Sequence, residues 1–295
     1  MLLSLLAAGC THPAAAAPAP SSAATPATFA LEPVRDGLWR YTAGAYHGVL
    51  LVTSNGVAVT DPLSHEAATW LRGEIARRFD QPIRYVLYSH NHPDHAYGGE
   101  ALDGPGVVYV AHALAARDWA RTRARVRMPD ITFQEALTVT LDGHPIELRY
   151  HGPNNGVGSV SMRFVDQHSL FVVDWIVVGR VPYRDLHGYD LNGMIDSTRE
   201  ALALEFDTFV GGHADISDRA GVARYLAYLE ALHGEVLEGM LAGHDLATIQ
   251  READLSAFSD LASFDAWRNL NVQGAYEQLR ASAYVDNRPE VPAPD

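Results

Sequence analysis

The stretch YSHNHPDHAYGGE, residues 88–100, places His90, His92, Asp94 and His95 within six positions. Histidine is the commonest side-chain metal ligand, so the cluster reads as a cation-holding loop. Immediately before it, IRYVLYS (83–89) is short, apolar and rich in branched and aromatic residues, the pattern of a buried strand that runs straight into the cluster. If the backbone stays extended through Asn91, alternation aims His90 and His92 to one side. Pro93 disfavours helical geometry in the residue before it and fixes a turn. Two ligands can then face one ion, while Asp94 and His95, beyond the turn, face a neighbour.

Outward from the cluster, strand-like and helical runs fall into two sets. GLWRYTAG, HGVLLVT and GVAVTDP precede it, the last two joined by Ser54-Asn55-Gly56, a hairpin signal. SHEAATWLRGEIARRF (64–79) has helical periodicity with Ser64 as N-cap. GVVYVA and the helical AHALAARDWARTRAR follow. In the second half ALTVTLDG, PIELRYH, GSVSMRFV and HSLFVVDW read as strands, LNGMIDSTREALAL as a helix and FDTFVGG as a strand. From about residue 217 the chain reads helical, again near 265–281, and residues 286–295 read as a flexible tail. Two sheets packed face to face with helices outside would bury these strands.

The cluster resembles the H-x-H-x-D-H motif of the metallo-β-lactamase superfamily, and further features occur in that family's order. Asp61 closes VAVTDP, Asp174 closes LFVVD, and His213 follows a strand in FVGGHAD. The resemblance spans roughly residues 30–215 and implies an α/β fold, the four-layer αββα sandwich, in a single domain over residues 29–285. It implies that His90 and His92 bind a first metal, that Asp94, His95 and His213 bind a second, that Asp174 bridges them, and that Asp61 supports the metal loop. Zinc, one or two ions per chain, is the expected cofactor. Zinc lowers the pKa of its water to roughly 7, and Asp94 would be the catalytic residue that orients this nucleophile and carries a proton to the leaving group.

One position departs. Relatives carry a histidine in the G-P-x-H-x-x-G loop, whereas this chain reads HGPNNGVGS, with Asn155 at the matching place. Asparagine offers a neutral oxygen in place of an imidazole. Asn155 could ligate directly or through water, His151 could reach in, or one zinc at the second site does the chemistry; Asn155 as a plain turn residue is the remaining reading. Regular alternation in PIELRYH puts His151 with Glu147 and Arg149, away from the apolar face. His47, Tyr183, Arg184 and His187 are candidates for substrate contact.

Composition narrows partners. The formal net charge of −14 argues against nucleic acid, which needs a basic footprint. Cys10 is the single cysteine, so no thiolate from the body of the chain can ligate a metal. By resemblance, this removes the lactamase branches that use a cysteine ligand. Residues 1–9, MLLSLLAAG, are too short to span a bilayer and read as a secretory leader. LAAGC resembles a lipoprotein box, and residues 11–28 are an Ala/Pro/Ser/Thr tether. The expectation is an exported protein, periplasmic or anchored to the outer membrane through lipidated Cys10, with a plain cleavable signal as the alternative. The expected function is metal-dependent hydrolysis of a small ester, thioester, lactone or amide. A non-catalytic or single-metal binding lipoprotein is the rival, and a β-lactamase a weaker one.

Overall fold

The computed structural model describes residues 28–292. The expectations placed on the leader, on Cys10 and on the tether up to residue 27 fall outside that range, as do the last three residues of the tail. The first sheet holds seven strands in sequential order: β1 (Phe29–Arg35), β2 (Leu38–Ala43), β3 (Tyr46–Thr53), β4 (Gly56–Thr60), β5 (Ile83–Leu87), β6 (Val108–His112) and β7 (Ile131–Phe133). The second sheet runs in the order β13-β12-β11-β10-β9-β8. Its strands are β8 (Ala136–Leu141), β9 (His144–Tyr150), β10 (Val160–Phe164), β11 (Ser169–Val172), β12 (Thr208–Gly211) and β13 (Ser217–Asp218).

Strand periodicity explains the layering. In β3 and β4, Leu50, Val57 and Val59 point outward to α1 (His65–Phe79) and to Trp119, while Val49, Leu51 and Ala58 point inward. In β11 and β12, Phe171 and Val210 meet them from the second sheet, and Leu170, Val172 and Phe209 face helices on the far side. Burying both faces of both sheets requires helices outside, and the sequence supplies them. The first sheet is covered by α1, with α2 (Pro93–Ala96) and α3 (Ala113–Thr122) on the crossovers. The second is covered by α4 (Leu191–Ala203), α5 (Arg219–Leu241), α6 (Leu246–Glu252) and α7 (Phe264–Ala283). The architecture is thus the four-layer αββα sandwich. Among the described residues no helix is long and apolar enough to cross a membrane.

Local chemistry sets the ends of the elements. Ser64 caps α1 by accepting the Ala67 N–H at 3.1 Å, and Asp190 caps α4 through Gly193 N–H at 2.9 Å. Three strands carry no clear sequence signal. FALEPVR contains Pro33, which is tolerated because β1 is an edge strand with a register shift between Pro33 and Arg35. β7 and β13 are three and two residues long, too short for a periodic pattern. His112 is buried: it ends β6, caps α3 through Leu114 N–H at 3.2 Å and stacks on Tyr150 at 4.2 Å.

Two helical glycines separate packing from propensity. A side chain on Gly193 would collide with the Pro153 carbonyl, so this glycine lets α4 lie against the 152–158 loop. Gly234 in α5 has open space, with nothing within 4 Å of the position a methyl would take. Gly234→Ala is expected to stabilise by up to about 1 kcal/mol, whereas Gly193→Ala is expected to destabilise by about 1–3 kcal/mol. Urea denaturation of both variants checks the opposite signs.

Candidate metal centre

Parallel pairing builds the site. Thr60 pairs with Leu87 across β4 and β5, so Asp61 and the Ser89–His95 segment emerge side by side. Val172 pairs with Gly211 across β11 and β12, so Asp174 and His213 emerge at one level from the second sheet. The two pairs of strand ends meet at one edge of the sandwich. Backbone bonds tie them, His47 N–H to Gly212 O at 2.9 Å and Val160 N–H to Ser89 O at 2.9 Å. Asp61 and Asp174 both adopt positive φ, 28° and 65°. Aspartate is among the few non-glycine residues that tolerate this region, at a cost of order 1 kcal/mol.

Two triads result. In the first, Asp174 Oδ2 lies 2.9 Å from His90 Nε2 and 2.8 Å from His92 Nδ1. The second comprises Asp94, His95 and His213, with His95 Nε2 3.1 Å from His213 Nε2 and Asp94 Oδ2 4.0 Å from His213 Nε2. Within each triad the ligand atoms lie within 4.8 Å of one another. Asp174 joins the two, because its other oxygen, Oδ1, lies 2.8 Å from His213 Nε2. This is the division of residues that the spacing around Pro93 suggests.

Neighbouring groups aim the rings. Buried Asp61 accepts the Ser89 N–H at 2.7 Å through Oδ1 and faces His95 Nδ1 at 3.3 Å through Oδ2. That contact leaves His95 Nε2 directed into the site, the usual way a carboxylate fixes a ligating imidazole. Ser89 Oγ does the same for His90 Nδ1 at 2.8 Å. Asn91, which carries no signal in the sequence beyond its place in the cluster, clamps three segments. Its amide donates to Asp118 at 2.7 Å, its Oδ1 accepts Val157 N–H at 2.8 Å, and its carbonyl accepts the Trp119 indole N–H at 2.9 Å.

The electrostatics fit a cation. His90 Nε2 is buried without a hydrogen-bond partner, its 2.9 Å approach to Asp174 failing hydrogen-bond geometry. His95 and His213 turn their Nε2 atoms toward each other at 3.1 Å, beside Asp94. Burial pushes His90 below the ordinary imidazole value and outweighs Asp174. Burial opposes a charged His95 too, but the bond to Asp61 and the negative charges nearby raise it. Asp174 resists the upward pull of burial, because His90, His213 and His92 hold it well below the usual carboxylate range. Nitrogen and carboxylate donors in this number suit zinc and similar borderline divalent ions.

The cleft over the triads holds about 440 Å³ and is lined by His92, Asp94, Asn155, Asp174 and His213 together with Ala45, Tyr46, Arg180, Tyr183, His187 and Tyr189. Asn155 therefore lines the cleft, and the next residue, Gly156, is so close to the first triad that a methyl there would lie 3.0 Å from His92 Nε2. His151 does not reach the site. It is buried with Nδ1 2.9 Å from Glu200 and Nε2 2.8 Å from Ser161 Oγ, so both nitrogens are committed elsewhere. This is the direction that strand alternation in PIELRYH gives it.

Of the expected substrate contacts, Tyr183 and His187 line the cleft and two residues do not. His47 faces an adjoining hollow, bonds Thr42 Oγ1 at 3.0 Å, and is lowered to about 4 by burial and by neighbouring Arg40 and His213. Arg184 is exposed and lies over the outer Tyr183 ring, so Arg180 from the same loop takes the cleft position. Tyr46, also unforeseen, sets its ring edge-on to His213 at 5.3 Å and to His95 at 6.0 Å. Its only sequence signal is an aromatic at the start of a strand opposite the cluster.

Comparison with known proteins agrees with this fold. A curated relative, 2,4-dinitroanisole O-demethylase subunit alpha from Nocardioides sp., is 28% identical over 232 residues, covering 77% of this chain and 70% of that protein. The solved structure of a metallo-beta-lactamase from Pontibacter korlensis superposes with a TM-score of 0.61 at 20% identity, over 69% of this chain and 99% of that one, a likeness of fold. The family model described as "Metallo-beta-lactamase superfamily" matches residues 41–213, more than half of the sequence and the segment that carries all six triad residues. The chain belongs to the metallo-β-lactamase superfamily.

Proposed function

We propose that this chain is a zinc-dependent hydrolase of a small ester, thioester, lactone or amide. The observation that carries the reading is the pair of triads joined through Asp174 at the floor of a cleft of small-molecule size. Zinc, when bound, supplies hydroxide near neutral pH and withdraws charge from the electrophile. The protein's own groups do the rest. Asp61 and Ser89 hold His95 and His90 in fixed orientations, so little reorganisation accompanies catalysis. Asp94 is part-exposed at the cleft wall, where its carboxylate can accept a proton from the nucleophile and return it to the leaving group. Tyr46 covers the second triad and narrows water access.

Asn155 tunes the first triad. It is neutral like the imidazole it replaces, so the charge of the site is unchanged while affinity for an ion falls. A second electrophile comes from the O-demethylase relative, whose named substrate is an activated aryl methyl ether. The tyrosines of the cleft could stack an electron-poor ring; hydroxide adding to its ether-bearing carbon would expel methoxide, which leaves as methanol, and yield the phenolate. Export with lipid attachment at Cys10 is proposed from the leader alone.

Purified protein should hold at least one divalent ion by elemental analysis; chelation should abolish hydrolysis of a chromogenic ester and lactam panel, and zinc should restore it. Metal-free protein without turnover would instead support a non-catalytic binder. In steady-state kinetics, His95→Ala should lower kcat/KM by more than about a hundredfold and Asp61→Ala by about 10- to 100-fold, with Asn155→Ala costing less than about tenfold. Equal losses for His95→Ala and Asn155→Ala would make Asn155 a true ligand. Cys10→Ser should move the expressed protein from the detergent phase to the aqueous phase on Triton partitioning.

A further inference from the structure

Arg180 is the unusual cation of this cleft. It lies six residues after Asp174, on the loop between β11 and α4, and lines both the metal cleft and the adjoining hollow of about 380 Å³. Among the described residues it makes no ion pair and no side-chain hydrogen bond, and its Nε is buried without a partner. Arginines such as Arg117, Arg121 and Arg149 also lack protein partners, but they are exposed and water satisfies them. A guanidinium with a dry, unpaired Nε is a donor set awaiting an acceptor.

The surrounding structure holds Arg180 in place. Val181 N–H bonds Ala262 O at 3.2 Å, and Ala262 N–H bonds Gly179 O at 2.9 Å, so the backbone on both sides of Arg180 is fastened to the segment before α7. Below it the guanidinium packs on the Trp267 ring at 5.3 Å, and the same ring takes the edge of Tyr183 at 5.1 Å. Trp267 thereby positions two residues of the cleft wall. Gly274 of α7 completes the seat, since a side chain there would strike the Asp185 carbonyl. The guanidinium shares one cleft with the metal floor, since Arg180 and Asp174 line the same space.

We propose that Arg180 is a specificity-determining residue that binds an anionic group of the substrate, with the reactive centre over the triads and a carboxylate or similar planar oxyanion at the guanidinium. This deepens the hydrolase reading and rests on it for the identity of the reactive centre. The other formal charges lining the cleft, Asp94 and Asp174, belong to the metal floor, and Asp215, the acid of the adjoining hollow, makes no ion pair with Arg180. Arginine's fork geometry suits a two-oxygen acceptor, which a lysine would contact only as a point charge.

The test compares 4-nitrophenyl benzoate with its 4-carboxy derivative on the metal-loaded protein, alongside calorimetric titration with monomethyl terephthalate. Wild type should prefer the carboxylated ester, mainly through KM. Arg180→Gln should cut the ratio of the two kcat/KM values by about tenfold or more, and weaken the titrated anion by a similar factor. Arg180→Lys should recover part of both, and Trp267→Leu should raise KM for the carboxylated ester more than it lowers kcat. Metal content and circular dichroism verify folding. An unchanged ratio in Arg180→Gln, or a wild type that favours the neutral ester, overturns the assignment. Wild type that turns over neither ester, yet binds the anion in an Arg180-dependent way, overturns the hydrolase reading and sustains the clamp.

Discussion

Asp174 is a carboxylate buried among three imidazoles, and the rest of the site is arranged to make that burial tolerable. An unpaired buried carboxylate costs several kcal/mol, yet here one oxygen faces His90 and His92 and the other faces His213. Those contacts keep it ionised against desolvation. They also set the spacing of the two triads, because a single carboxylate group can span only a few ångströms. Each ring that meets Asp174 must therefore arrive at a fixed distance and angle. The αββα sandwich achieves this by ending β5, β11 and β12 at the same edge.

That constraint explains where the structure spends its buried polar contacts. Asp61 satisfies both a backbone amide and His95, Ser89 bonds His90, and Asn91 ties the metal loop to α3 and to the 152–158 loop. None of these groups faces the cleft as a reactant. They hold the rings in the orientation that turns His95 Nε2 toward His213 Nε2. The strained backbone at Asp61 and Asp174 belongs to the same arrangement: a positive φ turns each carboxylate back toward the strand ends.

The second sheet contributes the cleft wall where the first contributes most of the triad residues. The loop from Asp174 to α4 carries Arg180, Tyr183, His187 and Tyr189 into the cleft and is seated on α7 through Trp267 and Gly274. The C-terminal helices thus do more than cover an apolar sheet. They fix one wall of the cleft, and a change in α7 would be felt there without touching a triad residue.

The sequence alone determined the two strand sets, the helices that flank them and the cluster at 90–95, because periodicity and ligand spacing are local properties. It also separated His90 and His92 from Asp94 and His95, since Pro93 enforces the turn between them. Short or proline-bearing strands such as β1, β7 and β13 were not legible, for their stability comes from neighbours rather than from their own pattern. Only the tertiary structure decided which distant side chains share a space. His151 and Asn155 lie four residues apart, yet one bonds Glu200 and Ser161 and the other lines the cleft. Arg180 and Arg184 are equally close in sequence, and packing against Trp267 rather than composition selected the one that lines the cleft. Register between parallel strands and the seating of a loop on a remote helix are long-range relations, and no local window of residues encodes them.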